Sequence, residues 1–356
     1  MSNKTNIKEL VESLFNFVRD KHPQIEAAGL LQSRVAYGKY NPSAGHHITD
    51  PVLQDKKPHP IKSFSILERC LREADSSRIG LSNRHLSFFE MFAFHVYGEH
   101  NKLPKKETTE KFYNLLIKDL GLEKNKLVVT VLGKCNFENL SLDDSETEEI
   151  YNCWINLLNK TQVKRTVGRR NFFIARIPGA AGGTGFEVYY KMANGDYVEI
   201  GSQVDYHYVF HGPMNMHPTT NGTLGSGLGL ERLLMALENK KTVYDTSLAK
   251  PIKDVVVKAL NDGTEMLYED NINLIADHIR AITFVIWEKE RQNAELTNSQ
   301  KKILKKFKKN LNSSLIYLGL EPTIYTDLVD VTIDLYKDRF WDLPNYKNTI
   351  LGYLKS

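Results

Sequence analysis

Three short stretches hold residue types and spacings that could do chemistry. GSGLGLERLL (225–234) sets Gly225, Gly227 and Gly229 at alternate positions, followed by Glu231 and Arg232. Glycine lets the backbone come close to a ligand. An arginine at the start of an amphipathic helix adds to the positive helix N-terminus, which suits an anion or a nucleotide. Taken alone, the stretch is equally a strand-to-helix turn with an exposed arginine. No GK[ST] follows, which excludes a Walker loop. ERCLREADSSRIGLSNRHLSFFEM (68–91) places Arg69 and Arg72 before a polar loop, and Arg84, His85, Phe88 and Phe89 after it. Two antiparallel strands joined by that loop bring Arg69 near Phe89. A guanidinium can take phosphate oxygens while the ring stacks on a base; the alternative is a plain hairpin with surface arginines. KKILKKFKKN (301–310) carries Lys301, Lys302, Lys305, Lys306, Lys308 and Lys309 and no acid. On a helix Ile303, Leu304 and Phe307 share one face, and the lysines line the other, as phosphate contacts require.

Metal chemistry has weaker support. His207 and His211 read as HxxxH but fall on an expected strand, where four residues span about 13 Å. They cannot chelate one ion as histidines one helical turn apart do. His85, His95, His100 and His217 are scattered, and no zinc is expected. Cys70, Cys135 and Cys153 form no CxxC pair, which argues against a zinc ribbon or a disulfide scaffold. GAAGGTG (179–185) lies between expected strands and not before a helix, so a dinucleotide fingerprint is not indicated.

The elements that must position these residues follow from periodicity. IKELVESLFNFVR (7–19) reads as an amphipathic helix, and 31–62 as loop with short extended pieces. KLVVTVLGKC (126–135) is a β-branched strand, and a helix is expected around 150–158. FEVYYKM (186–192) and DYVEIGSQVDYHYVF (196–210) flank ANG, a hairpin signal. In the second, Val198, Ile200, Ser202, Val204, Tyr206, Tyr208 and Phe210 alternate with Glu199, Gln203, Asp205 and His207. One apolar and one polar face are expected, with Ser202 the anomaly. After about 245 the pattern turns helical in four successive segments. The expected fold is therefore α+β over 1–245, followed by a helical domain over 246–356. The chain has 356 residues, with 47 basic and 43 acidic, so the net charge of +4 does not by itself imply nucleic acid. AITFVIW (281–287) is far short of the roughly 20 residues a membrane span needs, and MSNKTNIKEL lacks an apolar signal core. A reduced, cytoplasmic protein with no membrane partner is expected.

Together the motifs resemble the class II aminoacyl-tRNA synthetases. RCLR…RHLSFFEM (69–91) is similar to their motif 2 and LGSGLGLER (224–232) to their motif 3. IADHIRAITFVI (275–286), HLSFFEM and FEVYYKMANGDYVEIGSQV (186–204) resemble the alanyl-tRNA synthetase family in particular. The resemblance runs from about residue 7 to about residue 320. It implies an antiparallel catalytic sheet flanked by helices that forms an acyl-adenylate from ATP with Mg2+ and loads a tRNA 3′ end. By the resemblance Arg69 holds the α-phosphate and the acyl carbonyl, and Phe89 and Arg232 stack on the two sides of adenine. Arg84, His85 and Glu90 line the phosphate and magnesium region, with Gly227 and Gly229 beside the nucleotide. His46, Phe173, Glu187, Ser202, Val204 and Gly225 line the amino-acid pocket. The lysine stretch corresponds to the family's arginine-rich RGYVLRRIIRR beside the tRNA acceptor stem.

The pocket departs from the family pattern. The aspartate of VDTGMGLER, which pairs with the substrate ammonium, corresponds to Gly225 here. The tryptophan of DNFW becomes Phe173, and the tryptophan and asparagine of EIWNIV become Gly201 and Ser202. Burying an ammonium without a carboxylate is costly, so the expected substrate is an amino acid other than alanine, or another carboxylic acid. Glu187 is a candidate replacement; Asp205 falls on the opposite strand face from Ser202. Gly201, Ser202 and Gly225 are expected to leave a roomier pocket. Neither the family's editing domain, with its HxxxH and CxxxH ligands, nor its C-terminal dimerisation domain is expected. Two other readings are open: adenylation with a small-molecule, peptide or carrier-protein acceptor, and a non-catalytic regulator that binds amino acid, nucleotide or tRNA.

Overall fold

A computed structural model describes residues 6–32, 39–54, 61–74, 76–261 and 263–356. Among the described residues ten strands form: β1 (Ser63–Leu71), β2 (Phe88–Glu99), β3 (Leu127–Leu132), β4 (Cys135–Phe137), β5 (Leu140–Leu142), β6 (Val163–Thr166), β7 (Phe172–Ile174), β8 (Ala181–Lys191), β9 (Tyr197–Gly212) and β10 (Asn215–Gly229). The helices are α1 (Ile7–Val18), α2 (His46–Leu53), α3 (Lys105–Asn114), α4 (Glu148–Leu157), α5 (Leu230–Leu237), α6 (Lys250–Leu260), α7 (Glu269–Arg291), α8 (Asn298–Tyr317), α9 (Ile324–Tyr336) and α10 (Lys347–Lys355). An eight-stranded sheet runs in the order β1-β2-β10-β9-β8-β3-β6, with β7 on β8. Every pairing in it is antiparallel except β3 with β6. The α+β class expected from the sequence is what forms. α2 is an addition: it lies inside the stretch read as loop, of which 33–38 and 55–60 fall outside the described residues.

The long strands alternate because adjacent side chains point to opposite faces. On β2, Phe88, Phe92 and Phe94 enter the main core, where Phe88 stacks on Phe284 of α7 at 4.6 Å. Strand β9 does not keep one phase. Its pairing with β8 slips between Val188 and Tyr189, leaving Ile200 as an extra residue, and again between Gly182 and Gly183, leaving His207 extra. Each such bulge flips the faces that follow. Val198 and Ile200 therefore enter the core, while Ser202, Val204 and Tyr206 line a cavity on the other side. The expected polar face is not solvated either. Gln203 is buried, donating to Thr109 Oγ1 of α3 and accepting from Ser226 Oγ. Asp205 is buried beside Lys105, also of α3.

Helix α7 is apolar almost all round, and buried from Ile275 to Glu288. Its polar residues are tied to the sheet or to neighbouring helices. Asp277 accepts from Ser87 N (2.8 Å) and from the Ser87 hydroxyl, Arg280 pairs with Glu231, and Arg280 Nε donates to Tyr336 OH (2.8 Å). One apolar cluster runs from Leu10 of α1 to Leu354 of α10, so the change to helices near residue 245 leaves the core continuous. No helix among the described residues is long and apolar enough to cross a membrane.

Candidate active site

A cavity of about 250 Å³ opens on the face of the sheet built by β2, β10, β9 and β8. The register lays its floor in rows. His95, Gly225, Val204 and Gly185 are mutual partners across the four strands; Ala93, Gly227, Ser202 and Glu187 form the next row, and Met91 and Gly229 the one after. Beyond that end Phe89, Arg84, His85, Arg72 and Arg232 close the cavity. Arg232, in the first turn of α5, is held by Glu199 (Nη1–Oε2 2.8 Å) and by the Arg84 carbonyl (3.2 Å). Arg72 lies over the Phe89 ring at 4.8 Å and donates to the Pro42 carbonyl at 2.8 Å. His85 Nδ1 is 2.6 Å from Ser82 Oγ.

Two residues read as nucleotide ligands lie elsewhere. Arg69 points to the opposite face of β1, where its guanidinium binds Glu288 (Nη2–Oε2 2.8 Å) and lies 5.0 Å from the Trp287 ring. Glu90 is buried under β2 on a forked pair with Arg339 (2.8 and 2.6 Å). Strand parity explains both: Arg69 is out of phase with Cys70, the partner of Phe89, and Glu90 with Phe89 itself. Arg72, in phase with Cys70, occupies the cavity position instead. The same parity, applied to 68–72, is the signal that could have found it.

The other expected pocket residues divide between two chambers. Phe173, Glu187, Ser202, Val204 and Gly225 line the first. His46 lines an adjoining chamber of about 520 Å³, which shares Ser43, Arg72, Phe173 and Tyr206 with the first. The glycines do not widen the pocket as expected. A Cβ on Gly225 would meet His95 Cε1 at 2.9 Å and Tyr206 Cε2 at 3.1 Å, so those rings already fill the space. A Cβ on Gly201 would point away from the cavity, onto Leu228 and Phe112. His95 was not singled out as a pocket residue. It is stacked on Phe64 at 4.8 Å and buried, and burial holds its pKa down at about 3, so the ring is neutral.

Acids gather toward the guanidinium end. Glu187 accepts from Tyr189 OH (2.6 Å), and burial, then the charge of Glu199, pushes its carboxyl above the ordinary range. Behind the floor, among the described residues, His100, Asp205 and His207 form one cluster of metal-ligand types. Lys105 Nζ already sits 2.7 Å from Asp205 Oδ2, His100 Nε2 lies 2.9 Å from the same oxygen, and the two imidazoles stack nearly parallel at 3.8 Å. Burial pushes Asp205 up, but hydrogen bonds from His100 and His207 and the Lys105 charge hold its carboxyl well below the carboxylate range. His211 and His217 are exposed and face each other at 5.7 Å, apart from that cluster.

On α8, Lys301, Lys302, Lys305, Lys306 and Lys309 are exposed. Lys306 bonds Ser76 Oγ, Lys301 pairs with Glu295, and Lys308 is committed to the Tyr353 carbonyl at 2.7 Å.

The family described as tRNA synthetases class II (A) matches residues 42–356. Among curated relatives, an alanine–tRNA ligase of Alkaliphilus oremlandii is 23% identical over 369 residues, covering 99% of this chain and 40% of its own length. A chloroplastic/mitochondrial alanine–tRNA ligase of Populus trichocarpa is 28% identical, covering 66% of this chain and 24% of its own. That of Endomicrobium trichonymphae is 26% identical, with 62% and 25% covered. The chain thus spans between about a quarter and two fifths of the length of these relatives.

Proposed function

The chain belongs to the class II (A) tRNA synthetase family, and from that premise we propose that it activates a carboxylic acid other than alanine with ATP and passes the acyl group to tRNA. In the first step a carboxylate oxygen attacks the α-phosphorus, the bond to the bridging oxygen breaks, and pyrophosphate leaves. The charge that develops on the phosphoryl oxygens needs fixed cations and in-line positioning, and no protein nucleophile. The supporting observation is one cavity that gathers Arg72, Arg84, Phe89 and Arg232. Arg72 takes the role first read for Arg69, against the phosphate and the acyl carbonyl. Phe89 and Arg232 hold the adenine, and His85 flanks the phosphates.

Magnesium is implied by the family, and the residues fit it. Glu187 and Glu199 line the same cavity; burial first, and then the Glu199 charge, raises the Glu187 carboxyl, and a divalent cation would offset the second of these. These two, and not Glu90, would hold the ion, which when bound neutralises charge on the leaving pyrophosphate. For the second step, exposed Lys302, Lys305 and Lys309 on α8 offer phosphate contacts to the acceptor. Pyrophosphate exchange over a panel of acids tests the first step, with Arg72→Ala as the inactive control. Failure to bind tRNA alongside robust exchange would move the acceptor to a small molecule, peptide or carrier protein.

A further inference from the structure

The cavity is divided by charge, and the division bears on the acid. Its guanidinium end holds Arg72, Arg84 and Arg232 with Glu187, Glu199 and Glu231. The row His95–Gly225–Val204–Gly185 carries no charged side chain, and neither do Phe173 and Tyr206 beside it. His95 is the nearest nitrogen-bearing side chain to Gly225, and its imidazole is neutral. It cannot be exchanged for an ion cheaply, because it is buried and packed against the rings of Phe64 and Tyr97.

The carboxylates lining the two chambers are committed, Glu187 and Glu199 to the magnesium and guanidinium end and the others to cationic side chains. Glu199 is paired with Arg232, Glu231 with Arg280, and in the second chamber Glu73 with Lys39 at 3.1 Å. Glu187 belongs to the row nearer Arg232 and accepts the Tyr189 hydroxyl. A ligand ammonium lying over the neutral row would be stripped of water with no anion to replace it, which is penalised. The second chamber adds apolar wall from Tyr40, Leu71, Ile174, Ala181 and Ile303, beside Arg72 and the paired Lys39 and Glu73.

We infer that the acid bound here has an uncharged substituent beside its carboxyl and an apolar body: a 2-hydroxy acid in place of a 2-amino acid. The inference rests on the adenylation reading above. A hydroxyl needs only neutral hydrogen-bonding groups, which Ser202 and Ser43 at the cavity wall supply.

The experiment compares matched pairs with one side chain each: lactate with alanine, 3-phenyllactate with phenylalanine, and 2-hydroxyisocaproate with leucine. Pyrophosphate exchange is measured for all six, and ATP binding is measured separately by a fluorescent ATP analogue. The hydroxy acids with the larger bodies should exchange about tenfold or more faster than their amino partners, the scale on which one mismatched polar group is rejected. Val204→Asp, which puts a carboxylate into the neutral row, should shift that preference toward the amino acids. Equal or faster exchange with the amino acids overturns the inference. If Glu187→Gln removes such an amino preference, Glu187 is the ammonium's partner. Exchange with no acid while ATP binds also overturns it. Absence of ATP binding brings down the adenylation reading itself, so the two failures are distinguishable.

Discussion

Arg69 and Arg72 stand three residues apart, and their opposite directions separate a structural arginine from one at the cavity. Arg72→Ala should lower pyrophosphate exchange on the order of 10²-fold or more, as removal of a transition-state charge does, with little change in melting temperature. Arg69→Ala should do the reverse. It strands the buried Glu288 carboxylate, which costs about 3 kcal/mol or more. Exchange assays and thermal melts of the two variants check the assignment; loss of exchange at full stability in Arg69→Ala would contradict it. Glu187 gives a second test, through pH. Its folded carboxyl is raised above the ordinary 4.5 by burial and Glu199. The folded state therefore holds this proton more tightly than the unfolded chain does. Stability is lost as pH rises from about 4.5 through the raised value. Glu187→Gln should melt higher than the wild type at pH 7, with the gain vanishing below pH 4.5. Magnesium with ATP should stabilise the wild type more than the variant.

Among the elements, β10 running into α5, the β8–β9 hairpin and α7 were all legible, because each combines clear periodicity with a glycine signal or an unbroken apolar run. Strand β9 was legible in place but not in phase. Nothing in Tyr197–Gly212 marks Ile200 or His207 as extra residues; the slips come from pairing with β8, 183 to 189, and pairing is not local information. Hence the face assignments failed, while Ser202, Val204 and Glu187 still reached the cavity. Helix α2 was missed because Pro51 and polar neighbours hide it; Gly45, at φ +75°, turns the chain into it, and its amide donates to the buried Glu68 carboxylate at 2.8 Å. The lysine face of α8 was legible as a pattern, but Lys308 is diverted to the end of α10. Lys302, Lys305 and Lys309 changed together to glutamine should weaken tRNA binding and flatten its salt slope by up to about 3, with adenylation unchanged. Filter binding across a salt series reads this directly, and an unaltered slope would remove α8 from the interface.

On the scale of the molecule, sheet and helices meet along a seam of buried charged and aromatic pairs: Arg69 with Glu288, Glu90 with Arg339, Glu231 with Arg280, Phe88 with Phe284. A chain cut after residue 245 would leave Glu90 and Glu231 buried without their arginines, and their remaining core open. Expressed alone, residues 1–245 should be aggregated or molten, and the whole chain should melt in one calorimetric transition; two separated transitions would show independent units. Trp287 stands in this seam, 1% exposed, between Arg69 and Phe340. Trp154 is equally sealed beneath the sheet, whereas Trp341 is 80% exposed. The intrinsic emission of the protein therefore divides into a blue, quencher-shielded part from Trp154 and Trp287 and a red, iodide-accessible part from Trp341. A red shift of the shielded part on denaturation would follow, without any label, the parting of the sheet from its helices.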